Sequence, residues 1–106
     1  MIADTPRPPY YAVIFTSLKN TDDKGYAAMA LKMSELAQQQ PGYLGHESAR
    51  EGIGITVSYW QSLEAIQHWK LQTDHLLAQQ QGREQWYSHY KTRICKVERD
   101  YGFNKE

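Results

Sequence analysis

Gly52-Ile53-Gly54-Ile55-Thr56-Val57-Ser58-Tyr59-Trp60-Gln61-Ser62-Leu63-Glu64-Ala65-Ile66-Gln67-His68-Trp69 is the stretch whose reading decides the fold. Ile53, Ile55, Val57 and Tyr59 alternate with Gly54, Thr56, Ser58 and Trp60. A period of two in β-branched and aromatic residues predicts a strand. Ser62 stops it and starts a helix: its hydroxyl can accept from an orphan N–H of the first turn, where the helix dipole also favours the charge of Glu64. Leu63, Ile66 and Trp69 recur at helical spacing, so the helix is expected to pack on a sheet through them.

Working toward the N-terminus, residues 43–50 form a second strand, and Glu51-Gly52 is short enough to make the pair an antiparallel hairpin. Pro41-Gly42 forces the preceding turn. Before it, Tyr26, Met29, Met33 and Leu36 recur at steps of three and four, with Ala30 and Ala37 beside them and Lys24, Lys32, Glu35 and Gln38 elsewhere. That predicts an amphipathic helix of about four turns, started by the cluster Asn20-Thr21-Asp22-Asp23. Residues 10–16, Tyr-Tyr-Ala-Val-Ile-Phe-Thr, form the first strand and are apolar on both phases of the pleat. Residues 1–8 are an extended arm rich in proline, and residues 9–106 form one domain.

Toward the C-terminus, the helix is expected to break near Gln72-Thr73-Asp74. Thr73 or Asp74 would cap a further helix through Leu76, Leu77 and Ala78 to the glutamines at 79–81, ended by Gly82. Residues 83–87 add a turn, residues 90–99 the last strand, and Tyr101-Gly102-Phe103 a tail. The order β-α-β-β-α-β is an α+β, ferredoxin-like arrangement, with both helices on one face of the sheet. The other face is bare, yet the first strand is apolar on both phases, and the last mixes Ile94 on one with Cys95 and Val97 on the other. A second copy of the chain is the simplest cover, so a homodimer joined through the sheets is expected.

The chain has 106 residues, enough for one small core. Lysine plus arginine equals aspartate plus glutamate at 12 each, so no basic field exists to hold nucleic acid. The lone cysteine, Cys95, allows no internal disulfide and fits a cytoplasmic protein. The longest apolar run, residues 10–15, is far short of a membrane span. There are three tryptophans and eight tyrosines, many of which must be buried or line something.

The motifs Pro41-Gly42-Tyr43-Leu44-Gly45, Glu47-Ser48, Gly54-Ile55-Thr56-Val57-Ser58-Tyr59-Trp60 and Ser62-Leu63-Glu64-Ala65-Ile66, with Trp69, His75 and residues 82–87, resemble the antibiotic biosynthesis monooxygenase family of dimeric α/β barrels, nearest its small uncharacterised bacterial members. The resemblance runs from about residue 11 to residue 101. It implies a homodimer whose sheets form a barrel, with a pocket between sheet and helices in each subunit. Members include cofactor-free oxygenases of polyphenols and quinols, haem-degrading enzymes and proteins without proven chemistry. The haem-degrading branch resembles this chain at Trp69. That branch carries a ligating histidine about three turns further on, where this chain reads Ala78-Gln79-Gln80-Gln81, and an asparagine in the first strand, which is absent here. Haem is therefore disfavoured. The leading expectation is oxygenation of an aromatic, polyphenol or quinol-type molecule by molecular oxygen without a cofactor. The alternatives are a haem protein and a non-enzymatic dimeric barrel that binds a small ligand.

Cofactor-free oxygenation needs a base, a dry pocket and aromatic walls. His75, read as lying just after a helix start, is the first candidate for the base, because a helix N-terminus favours neutral imidazole. The plain alternative is a structural histidine stacked on Trp69. His46, mid-strand, faces either the pocket or the barrel interior. His68 and His89 read as surface residues. Trp69, Tyr59 and Trp86 are candidate walls for a planar substrate, with core packing as the competing role, and Trp60 reads as the anchor of the turn into the helix. No metal is expected: Glu64 and His68 are four apart on a helix, but no paired-histidine or paired-cysteine pattern accompanies them.

Overall fold

The computed structural model describes residues 1–20, 25–79 and 86–105. The elements are β1 (Tyr10–Lys19), α1 (Tyr26–Gln38), β2 (Tyr43–Glu51), β3 (Ile53–Trp60), α2 (Leu63–Gln79) and β4 (Tyr87–Val97). They build one antiparallel sheet in the order β2-β3-β1-β4. The expected ferredoxin-like α+β arrangement is therefore present.

Side-chain alternation gives each face of this sheet a different task. Residues paired across antiparallel strands point to the same side. Tyr11 pairs with Trp60 and Val13 with Ser58, while Tyr10, Ala12, Ile14, Thr16 and Leu18 point the other way. Trp60 and the helix residues Ala37 and Ile66 are buried together, with Tyr11, Val13, Tyr43, Ala65 and Trp69 packed around them. Met29, Leu76 and Trp86 make a second buried group, joined by Tyr26, Met33, Leu36 and Tyr87. The apolar stripe read for α1 is thus its packed face at Tyr26, Met29, Met33, Leu36 and Ala37, while Ala30 is exposed.

Ser62 caps α2 as expected, its Oγ accepting from the Ala65 N–H at 3.1 Å, and Glu64 lies in the first turn. Four expectations change. First, α2 runs without a break through residues 72–74. Thr73 and Asp74 do not cap a new helix. The Thr73 hydroxyl donates back to the Lys70 carbonyl at 2.9 Å, and Asp74 pairs with Lys70 one turn earlier at 2.7 Å. Hydroxyl and carboxylate are both satisfied on the helix surface, so the break loses its driving force. Second, Leu63 is 50% exposed while Ile66 is buried and Trp69 half-buried, so the contact stripe begins one turn later. Third, β4 starts at Tyr87, three residues before the expected start, because the Tyr87 ring packs edge-on against Phe15 and Tyr26. Fourth, Gly25 stands at the N-cap position of α1 without a side-chain cap. The readings placed on Thr21-Asp22-Asp23, on Gly82 and on residues 83–85 lie outside the described residues.

One glycine is required by close approach. Gly42 has φ +86°, and a Cβ there would lie 2.7 Å from the Ala65 Cβ, so the turn before β2 rests directly on the first turn of α2. Gly54 is buried under the guanidinium of its cross-strand neighbour Arg50, so a Cβ there would make that exposed, flexible side chain swing aside. Arg50 reaches across it to donate to Ser17 Oγ at 2.5 Å, the Ser17 carbonyl at 3.3 Å and the Tyr26 hydroxyl at 3.2 Å. Ser17, a polar residue only 2% exposed, is satisfied through this strut.

On the helix-free side, both chain ends fold back over one end of the sheet. The Ala3 N–H donates to Glu47 Oε2 at 2.9 Å, and the Tyr59 hydroxyl donates to Oε1 of the same carboxylate at 2.8 Å. Thr5 donates to the Tyr10 hydroxyl, which donates to Asp100 in the tail. The Ala3 N–H, and after it the Tyr59 hydroxyl, hold the Glu47 carboxyl below its ordinary range. A lowered carboxyl contributes stability that is full above its unfolded-state value, about 4.3, and lost as pH falls through the lower folded value. Acidification below about pH 4 is therefore expected to release the arm before the sheet unfolds. Amide exchange at Ala3 followed from pH 7 to pH 3 checks this; protection unchanged at pH 3 would remove Glu47 as the tether.

Candidate functional site

The site begins with an irregularity in β2. Tyr43 pairs with Trp60 and Gly45 with Tyr59, so one extra residue, Leu44, is accommodated between them. Without that bulge, Tyr43 and His46 would point to opposite faces. With it, both face the helices: His46 pairs with Ser58, on the side of Trp60. The Tyr43 hydroxyl and His46 Nδ1 share a short hydrogen bond. The Tyr43 ring meets Trp60 edge-on at 5.6 Å, and Trp69 stacks on Trp60 at 6.0 Å with 25° between planes. Trp60 is completely buried, its Nε1–H donating to Ser58 Oγ at 2.9 Å. Tyr43, His46 and Trp69 are half-buried and are the members of this group that can meet a ligand. Burial raises the Tyr43 phenol above its ordinary pKa, so it stays protonated and can either donate to His46 or accept from it.

The five residues singled out from sequence separate into different places. His46 and Trp69 fall in this aromatic group. Trp86 is buried in the other group, with Met29 and Leu76. Tyr59 points to the helix-free face, where its ring meets Tyr10 and its hydroxyl meets Glu47; burial first, and then Glu47, push its pKa up to about 12. His75 is exposed in the interior of α2, so the helix-start argument for it falls with the missing break. His68 and His89 are exposed as expected, which leaves His46 as the half-buried member of the four histidines. Tyr43 was not singled out from sequence. The signal available for it was Gly45, since a glycine inside a strand marks a bulge.

Comparison with known proteins places the chain. No family model matches it. A Bacillus subtilis (strain 168) protein, YqjZ, is 51% identical over 106 residues, covering 98% of this chain and 93% of its own length. The chain belongs to the YqjZ family. YqjZ itself is described as uncharacterized. The YqjZ-type chain also shares its fold with solved structures of much lower identity. SnoaB of Streptomyces nogalater, described as a cofactor-independent oxygenase, superposes with a TM-score of 0.71 at 10% identity, over 88% of this chain and 97% of its own. A Nitrosomonas europaea protein, provisionally named an antibiotic biosynthesis monooxygenase, gives 0.64 at 11% identity, over 95% and 99%. The fold is that of the antibiotic biosynthesis monooxygenases, as the sequence resemblance implied.

Proposed function

We propose that this YqjZ-family chain is a cofactor-independent monooxygenase of a planar aromatic or quinol-type small molecule, acting between sheet and helices beside Tyr43, His46 and Trp69. One observation carries the reading: the half-buried histidine lies on the helix-facing side of the sheet, bonded to a half-buried phenol and next to a stacked pair of tryptophans. The fold shared with a protein described as a cofactor-independent oxygenase supports it.

In the tautomer that donates Nδ1–H to Tyr43, the Nε2 lone pair of His46 is available to take a proton from a phenol or an activated CH₂. The substrate anion then passes electrons to O₂. For an anthrone-type CH₂, one oxygen atom becomes the new carbonyl oxygen and the other leaves as water; the substrate supplies all four electrons. Trp69 provides a flat wall, and the low-dielectric surroundings keep water from quenching the anion.

Oxygen uptake with an anthrone-type substrate tests the reading. His46→Gln keeps size and a hydrogen bond but removes the base, and activity is expected to fall by about a hundredfold or more with the melting temperature nearly unchanged. His75→Ala serves as the comparison. Retained activity there together with loss at His46 supports this assignment; the reverse pattern returns the role to His75. A wild type that binds the substrate without consuming oxygen would favour the ligand-binding barrel.

A further inference from the structure

Ser58 lies on the floor of the same space and takes no part in the proton transfer to His46. It pairs with His46 of β2 on one side and Val13 of β1 on the other, so all three point toward the helices. Ser58 is half-buried and stands two residues before Trp60, on the same face of β3. The Nε1–H of the completely buried Trp60 donates to Ser58 Oγ at 2.9 Å. An indole nitrogen can only donate. Ser58 therefore spends a lone pair on Trp60 and keeps its own proton, for which no acceptor occurs among the described residues. A hydroxyl that accepts such a bond is polarised into a stronger donor.

We propose that Ser58 is a second catalytic residue: its hydroxyl, turned by Trp60, donates to the substrate oxygen that loses its proton to His46. This role rests on the oxygenase reading of the site and goes beyond it by naming the group that holds the anion. Residues opposite one another on antiparallel strands set their Cβ atoms about 5 Å apart, so base and donor stand side by side. A phenolic oxygen between them gives its proton to His46 Nε2 and keeps a hydrogen bond from Ser58 once it is an anion. In an anthrone-type substrate this oxygen is that of the enol tautomer. No bond to Ser58 forms, and its proton stays on Oγ. One fixed donor is worth more here than in water, because little solvent competes for the charge. The substrate class narrows accordingly, to molecules that present a phenol or enol oxygen rather than an acidic C–H alone.

Bound para-nitrophenol reads the donor directly, because its absorption separates phenol from phenolate and it is not consumed. A hydrogen bond to the anion favours ionisation. Ser58→Ala is therefore expected to raise the pH at which the bound probe ionises by about one to two units. Ser58→Thr keeps the hydroxyl and should leave that pH near the wild-type value. With an anthrone-type substrate, Ser58→Ala should lower kcat by about a hundredfold or more, with KM changing far less. The alanine variant also leaves the Trp60 N–H without its acceptor, so its melting temperature is followed alongside. Should it not fold, Ser58→Cys carries the same comparison, offering the indole a weak acceptor and the ligand only a weak donor. A lower melting temperature with unchanged probe ionisation and kcat would overturn the proposal. So would a wild type on which the probe does not bind, or ionises as it does in water. Ser58-dependent ionisation in a wild type that consumes no oxygen would remove the oxygenase reading and leave Ser58 as a donor to the ligand.

Discussion

Trp60→Ala is expected to lower the stability of the fold by about 3–5 kcal/mol, the range for removing a large aromatic from a core. Trp60 is fully buried at the end of β3 and ties four parts of the structure together. Its ring meets Tyr43 from β2 and Trp69 from α2, its indole N–H meets Ser58, and Ala37 of α1 packs in the same group. Truncation leaves a cavity that no single neighbour can fill, because those neighbours belong to different elements. Trp60→Phe retains much of the burial and should lose clearly less. Urea denaturation at one fixed protein concentration measures both, the concentration being held because association adds to apparent stability. A Trp60→Ala loss below about 1.5 kcal/mol, well under the usual range, would mean that the sheet and helices close over the gap.

Gly42→Val should be comparably damaging, at about 2–6 kcal/mol, from strain for a branched residue in the left-handed region together with overpacking against Ala65. Gly52 is the natural control. It also has a left-handed backbone, φ +76°, but no atom lies within 4 Å of the position its Cβ would take. Gly52→Val therefore carries only the backbone part. The difference between the two melting temperatures isolates the contact between the turn before β2 and the start of α2. Equal losses at the two positions would show that this contact is loose.

The order of elements was legible because each relied on a local signal. Period two marked β3, a serine cap marked α2, and the three-four spacing marked α1. The break expected at Gln72-Thr73-Asp74 failed for a physical reason. Cap-type residues also satisfy themselves on a helix surface, and only the surrounding turns decide which bond forms. The site was less legible. His46 and Trp69 were recognisable as residue types, but their meeting depends on the bulge at residues 43–45, which shifts register across a whole strand. Tyr59 was placed with them by type, yet its phase in β3 sends it to the opposite face.

The strut from Arg50 across Gly54 to Ser17 links three positions that a change of sequence must treat as one. Any side chain at 54 displaces the guanidinium, which as the far end of a flexible, exposed side chain can swing aside; what is lost is the donor to the buried Ser17 hydroxyl. Position 54 therefore opens most readily when 17 becomes apolar at the same time. A library that varies 17 and 54 together would recover residues larger than glycine at 54 more often than one that varies 54 alone.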